Sequence, residues 1–237
     1  MCAWFGKKDE IPYAVVRCRR HTMAVSVDLN GEVTVRAPLR TSDRSIADFL
    51  RQKQGWIQKK QTEAWKAAAK YAPLTLLEGE WMPILGESYQ VHRRFGDMGA
   101  AKAKKHSNIT TEGQRICIPA ALGKEEVVRW LKERLRGTLE KRLEYFSGLM
   151  GVGYGSLRVT SARTRWGSCS AKNNVSFTWY LVFCPPDVVD YLVVHELAHV
   201  KQKNHSKAFW EAVAAVMPEW KQKRAWLKAN RKVMDLL

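Results

Sequence analysis

No stretch of this sequence approaches the roughly 18 consecutive apolar residues that a membrane-spanning helix needs, so none is expected. The opening, "MCAWFGKKDEIPY", has no apolar core behind a basic start, which argues against a secretory leader. Cys2 comes too early to follow such a region, so a lipid-anchored export product is not expected either. Cysteine is scarce and badly placed for cross-linking: Cys2, Cys18, Cys117, Cys169 and Cys184 make an odd number, lie far apart and form no CxxC. A disulfide framework is therefore not expected, and the expected location is a reducing cytoplasm. There is no internal repeat and no low-complexity tract.

Acidic residues are also in short supply. Lys and Arg number 40 against 23 Asp and Glu, a net charge of +17 over 237 residues. The charge is spread along the chain, with small clusters at Arg17, Arg19, Arg20 and at Lys102, Lys104, Lys105. That suits a solvated basic surface, and it equally suits contact with an acidic substrate or nucleic acid.

What is present reads as an α+β protein: a β-rich part with one long helix over residues 1–120, then a helical core over 121–237, either as two parts or as one continuous domain. "YAVVRCRR" and "TMAVSVDLNGEVTVRAP" alternate apolar and polar residues, and Asn30-Gly31 marks a hairpin. Ser42 or Asp43 caps a long helix that fades before Pro73. "EWMPILGESYQVHRRF" and "QRICIPA" return to strands, and "GDMGAAKAKKHSNITTEG" between them reads as a loop or hairpin tip. A second long helix spans about residues 124–149, with Val127, Val128, Leu131, Leu135, Leu139, Leu143 and Phe146 along one side. "LRVTSARTRWGS" and "NNVSFTWYLVF" read as two strands joined through "SCSAKNN". Cys184-Pro185-Pro186-Asp187 opens a helix, Ser206 caps another that runs to Met217, and a last helix ends the chain.

The helix after Pro186 carries "VVHELAHVKQKNH". His195 and His199 lie four apart, one turn along the same helical face, which suits two ligands of one tetrahedral zinc. Glu196 stands beside them, where a carboxylate can act as general base for a zinc-activated water. A third protein ligand is expected. His205 follows a turn that Asn204 could make with a left-handed backbone; Glu211 is the rival, reaching back from the next helix.

These residues, with "RTRWGSCS" and "FTWYLVFCPPDVVDYLVVHELAHVKQKNHSKAFWEAVAAVMPEWKQKRAWLK", resemble the YgjP-like metal-dependent hydrolases, also described as a metallopeptidase domain and related in motif to the SprT-like and WLM zinc peptidases. The resemblance runs from about Val15 to Lys232, more weakly in the amino-terminal half. It implies His195, His199 and His205 as ligands of one zinc ion, Glu196 as catalytic base, and a zincin-like core in which the HExxH helix packs on a small sheet. It does not imply a substrate.

Around this motif, Arg165 could contact substrate or stabilise an oxyanion, or simply pair with a carboxylate. Cys169 has nothing nearby in sequence to activate it. Phe209, Trp210 and Tyr191 suit core packing more than a substrate platform. Asp190 could hold a ligand histidine's free N–H or face solvent. His92 and His106 have no metal spacing. The leading expectation is a zinc metallopeptidase acting on peptide or protein. The alternatives are metal-dependent hydrolysis of a non-peptide anionic substrate such as a nucleotide phosphate anhydride, and a nucleic-acid-associated protein with a structural zinc. The sequence does not fix the oligomeric state.

Overall fold

The computed structural model describes residues 4–5, 11–28, 30–95 and 108–237. Cys2, the lysine cluster 102–105, His106 and most of the expected loop after Phe95 lie outside these residues. The chain divides into two compact units, Met1–Ala72 and Pro73–Leu237. The boundary expected at 120/121 falls inside the second unit. No described helix is long and apolar enough to cross a membrane.

The first unit holds a four-stranded sheet in the order β1 (Trp4–Phe5), β2 (Tyr13–Cys18), β4 (Val33–Pro38), β3 (Ala24–Val27). β3 and β4 form the expected antiparallel hairpin, with Val25 opposite Val35. Asp28 closes it by accepting from the Asn30 and Glu32 N–H groups. Gly31 takes a positive φ of 85°, and Trp65 packs so close that a Cβ there would stand 2.6 Å from its indole nitrogen. The alternation in β4 buries Val33, Val35 and Ala37, and Ile46 packs with Val35 and Ala37. β2 pairs parallel to β4. The single long helix expected after Ser42 is two, α1 (Asp43–Gln52) and α2 (Gln54–Lys70). Lys53 leaves the helical region (φ −96°, ψ 2°), and Gly55 just beyond it adds little helix propensity. Ser42 caps α1 by accepting from the Ser45 N–H.

The second unit opens with another four-stranded sheet in the order β5 (Trp81–Ile84), β6 (Glu87–Arg94), β8 (Arg115–Pro119), β7 (Thr110–Glu112). α3 (Lys124–Met150) follows, and its side-chain stripe from Val127 to Phe146 is fully or nearly fully buried. Burial of these side chains, at about 1.5–3 kcal/mol each, holds α3 in place. A three-stranded sheet comes next in the order β10 (Gly167–Cys169), β11 (Val175–Thr178), β9 (Leu157–Thr160). The single strand expected over 157–168 is two, β9 and β10; β10 and β11 form the antiparallel hairpin, while β9 joins β11 in parallel.

The strand expected to run through "WYLVF" stops at Thr178, and Trp179–Phe183 is a buried 3-10 turn. A short, wholly apolar run does not declare its period, so strand and tight helix look alike in sequence. Pro185 and Pro186 then open α4 (Pro186–Lys201) as expected. α5 (Lys207–Val216), α6 (Trp220–Ala229) and a 3-10 turn at Arg231–Asp235 complete the chain. α4 sits between α3 on one side and β10, α5 and α6 on others. It is buried along most of its length, from Val188 to Ala198. The architecture is thus α+β, with six α-helices and three small sheets among the described residues.

Candidate metal centre

α4 presents His195 and His199 one turn apart, with ring centroids 5.1 Å from each other. The helix ends at Lys201, and the chain turns back through residues 202–206. That turn is made by side chains. The Asn204 carboxamide oxygen accepts the Ser206 N–H, and the Ser206 hydroxyl accepts the Phe209 N–H to start α5. Asn204 does not take the left-handed backbone expected of it, since among described non-glycine residues only Leu76, Leu85 and Asn173 do. The turn returns His205 under the first two histidines. The three rings offer one nitrogen each, all within 4.8 Å of one another. Glu211, the rival ligand, is exposed and faces Lys207 at 3.7 Å.

The donor set suits a metal ion. His199 Nδ1 lies 2.9 Å from the Gln202 carbonyl, and a proton donated there leaves Nε2 bare. His205 and His195 point Nε2 at Nε2 across 3.1 Å. Burial pushes the His195 imidazole down to about 3, helped by His199, His205 and Arg224. Burial, His199 and Arg224 also push His205 down. Neutral imidazoles with nitrogens converging on one point are what zinc requires. Among the described residues this cluster has three donors and no fourth, so a tetrahedral ion held here would keep one position for water or substrate.

Phe209 is fully buried and forms the floor beneath the rings, with centroids 4.9, 4.5 and 4.8 Å from His195, His199 and His205. Trp210 stacks on His205, and Trp220 stacks on Trp210 at 4.1 Å. The Arg224 guanidinium lies 5.0 Å from the Trp210 ring centroid. Core packing therefore describes Phe209, whereas half-buried Trp210 walls the site.

Glu196 is 3% exposed, and its Oε2 has no hydrogen-bond partner among the described residues. Burial pushes its carboxyl up to about 8, against the pull of Arg165. A Cβ on Gly167 would stand 2.6 Å from Glu196 Oε1, so the bare edge of β10 is what admits the carboxylate. Arg165 is exposed in the loop before β10 and makes no ion pair among the described residues.

The remaining candidates resolve simply. Asp190 accepts from both Nε and Nη2 of Arg142, at 2.6 and 2.7 Å, so it neither holds a ligand histidine nor faces open solvent. Burial and Glu196 push the Cys169 thiol up, against Lys203. Tyr191 is buried one turn before His195, its hydroxyl pushed up to about 12 by burial. His92 bonds Glu78 at 2.9 Å, away from any metal cluster. Sequence reasoning missed Arg224, Trp220, the Gln202 carbonyl and the contact of Gly167 with Glu196. None of these carries a local spacing signal relative to the histidines.

Three convergent imidazoles with a buried carboxylate alongside define a candidate hydrolytic metal centre. The chain belongs to the YgjP-like family, metallopeptidase domain, whose profile matches residues 21–230. The family resemblance read from the motifs therefore holds, and with it membership of a hydrolase family. The chain is 32% identical over 75 residues to the UTP pyrophosphatase of Escherichia coli (strain K12), a match covering 30% of this chain and 45% of that protein. It thus spans less than half the length of that curated relative. Among solved structures, the metallopeptidase zymogen of Pyrococcus abyssi abylysin aligns with a TM-score of 0.36 and 23% identity, over 38% of this chain and 92% of that one.

Proposed function

We propose that this chain is a metal-dependent hydrolase acting on a phosphate anhydride of the nucleoside triphosphate kind. The observation that carries the reading is a pair of guanidiniums. Arg165 lies two residues before Gly167, which abuts Glu196, and the Arg224 guanidinium lies 5.0 Å from the ring of Trp210, which stacks on His205. Neither makes an ion pair among the described residues. Cations beside a cation-binding set weaken it by like-charge repulsion. A neutral amide carries no charge in its ground state for two such cations to bind, whereas an anhydride brings several negative charges of its own. The name of the bacterial relative points the same way.

In this reading His195, His199 and His205 hold the metal, with zinc the best match to an all-imidazole set. When bound, the ion supplies Lewis-acid polarisation of a phosphoryl oxygen and makes water more acidic. Glu196 takes a proton from the attacking water at its unpartnered oxygen. The water oxygen bonds to phosphorus as the anhydride P–O bond breaks, and the bridging oxygen leaves with the departing phosphate. Glu196 then returns the proton to product or solvent. Arg165 and Arg224 bind the charged oxygens on either side, and Phe209 keeps water from beneath the rings.

A second reading, a peptidase, has its own support. β10 is the edge strand of its sheet, and its Gly167 touches Glu196. A peptide could add to that edge and bring its carbonyl to the same carboxylate.

The test is metal analysis and a substrate screen on purified protein. One zinc per chain is expected, lost in His199→Ala. Glu196→Gln should keep the metal and lose hydrolysis by about 10²–10⁴-fold. Release of pyrophosphate or phosphate from nucleoside triphosphates, without cleavage of unfolded peptide, supports the first reading. The reverse pattern supports the second, and a Glu196→Gln variant that stays active would remove Glu196 as base.

A further inference from the structure

The three-stranded sheet has two unlike faces. Its register places Val159, Phe177 and Gly167 in one row and Arg158, Ser176 and Ser168 in the next. Successive side chains on a strand point to opposite faces. Gly167 faces Glu196, so the Arg158–Ser176–Ser168 row lies on the face turned away from α4. That outer face carries a hollow of about 310 Å³, lined by Arg158, Arg165, Ser168, Ser170, Asn174 and Ser176 among others.

The chemistry of the lining is one-sided. No carboxylate borders the hollow. Ser170 and Asn174 are occupied locally: the Ser170 hydroxyl accepts the Asn174 N–H, and the Asn174 carboxamide oxygen accepts the Ser156 N–H. By contrast, the side chains of Arg158, Arg165, Ser168 and Ser176 make no hydrogen bond or ion pair among the described residues. Ser168 and Ser176 are half-buried, so their hydroxyls are not simply lost among bulk solvent. Two planar guanidiniums and two hydroxyls that line one hollow without an acceptor among them form a donor set matched to a tetrahedral oxyanion.

We infer that this outer hollow is a phosphate-binding site, with Arg158 and Arg165 as its charged donors and Ser168 and Ser176 as its neutral ones. Arg165 lines this hollow and also pulls on the Glu196 carboxylate, so the two sites share one cation. A polyphosphate substrate could therefore use both sites, a use that rests on the hydrolase reading above. Binding of the phosphate itself does not depend on that reading.

The experiment separates the two. Chelator-treated protein is titrated with inorganic pyrophosphate, followed by calorimetry. Saturable binding is expected, weakened about tenfold or more in Arg158→Gln and several-fold in Ser176→Ala. His199→Ala should bind as wild type does. Arg36→Gln, an exposed arginine in the other unit, controls for the general positive charge. Melting temperatures establish that each variant is folded. Absence of saturable binding by the wild type, equal binding by Arg158→Gln, or equal loss in Arg36→Gln would each overturn the proposal. With nucleoside triphosphate as substrate for the metal-loaded enzyme, an Arg158→Gln KM raised about tenfold at unchanged kcat assigns the phosphate to the substrate. Unchanged KM with pyrophosphate binding lost assigns it to a separate free ligand. If pyrophosphate binds but no nucleoside triphosphate is hydrolysed, the site stands and the substrate reading falls.

Discussion

A single methyl group at Gly167 would meet Glu196 Oε1 at 2.6 Å. The obstruction is the carboxylate of a nearly fully buried side chain with little room to move. Gly167→Ala should therefore shift the Glu196 carboxylate by a fraction of an ångström. We expect kcat to fall by about 10²-fold with metal content unchanged, and stability to fall by about 1–3 kcal/mol from overpacking. Full activity in that variant would mean that the position of Glu196 is not critical. Arg224→Gln should lower kcat/KM by about 10²–10³-fold if its charge meets the reacting group, while zinc affinity holds or rises because a repelling cation is gone. At this scale the sequence was informative where the chemistry is local. His195, Glu196 and His199 share one helical turn, so spacing alone groups them, whereas His205 and Glu211 stayed rivals until the turn after α4 placed His205 beside the pair. Arg224 and Gly167 reach the same place from α6 and β10, and no local pattern announces a contact across 29 residues of chain.

Among the elements, α4 is the one on which the centre depends, and α3 is its main support. The two are joined by apolar packing and by the bidentate pair Arg142–Asp190. Asp190→Ala should cost about 1–3 kcal/mol by stranding a charged donor. The lower end is expected, since the Arg142 side chain is 36% exposed and can be resolvated. Leu135→Ala, in the wholly buried stripe of α3, should cost about 2–5 kcal/mol by opening a cavity. Thermal or urea unfolding of both variants checks the order. Most elements were legible because period and punctuation agree: the Asn30-Gly31 hairpin, the α3 stripe, the proline entry to α4 and the Ser206 cap. The parallel pairings of β2 with β4 and β9 with β11 were not, because strand order is fixed by long-range packing rather than by any local run. The break at Lys53 was hidden because the apolar positions on either side still approximate one helical stripe.

For the molecule as a whole, the net charge of +17 draws anions generally, and the arginines of the second unit give that attraction a destination. KM for a nucleoside triphosphate should therefore rise as salt is raised from about 50 to 300 mM, with kcat little changed, because screening weakens capture more than close contact. A salt-independent KM would mean that the surface charge serves something else. The same fold also carries its own reporter. Ten tryptophans contribute to its ultraviolet emission, but Trp210 stacks on His205, and Trp220 stacks on Trp210 with ring centroids 4.1 Å apart. Cobalt in place of zinc should darken that pair selectively, and Trp210→Phe should remove most of the response. Occupancy of the triad could then be followed in real time by the light the protein gives off, without a substrate or a label.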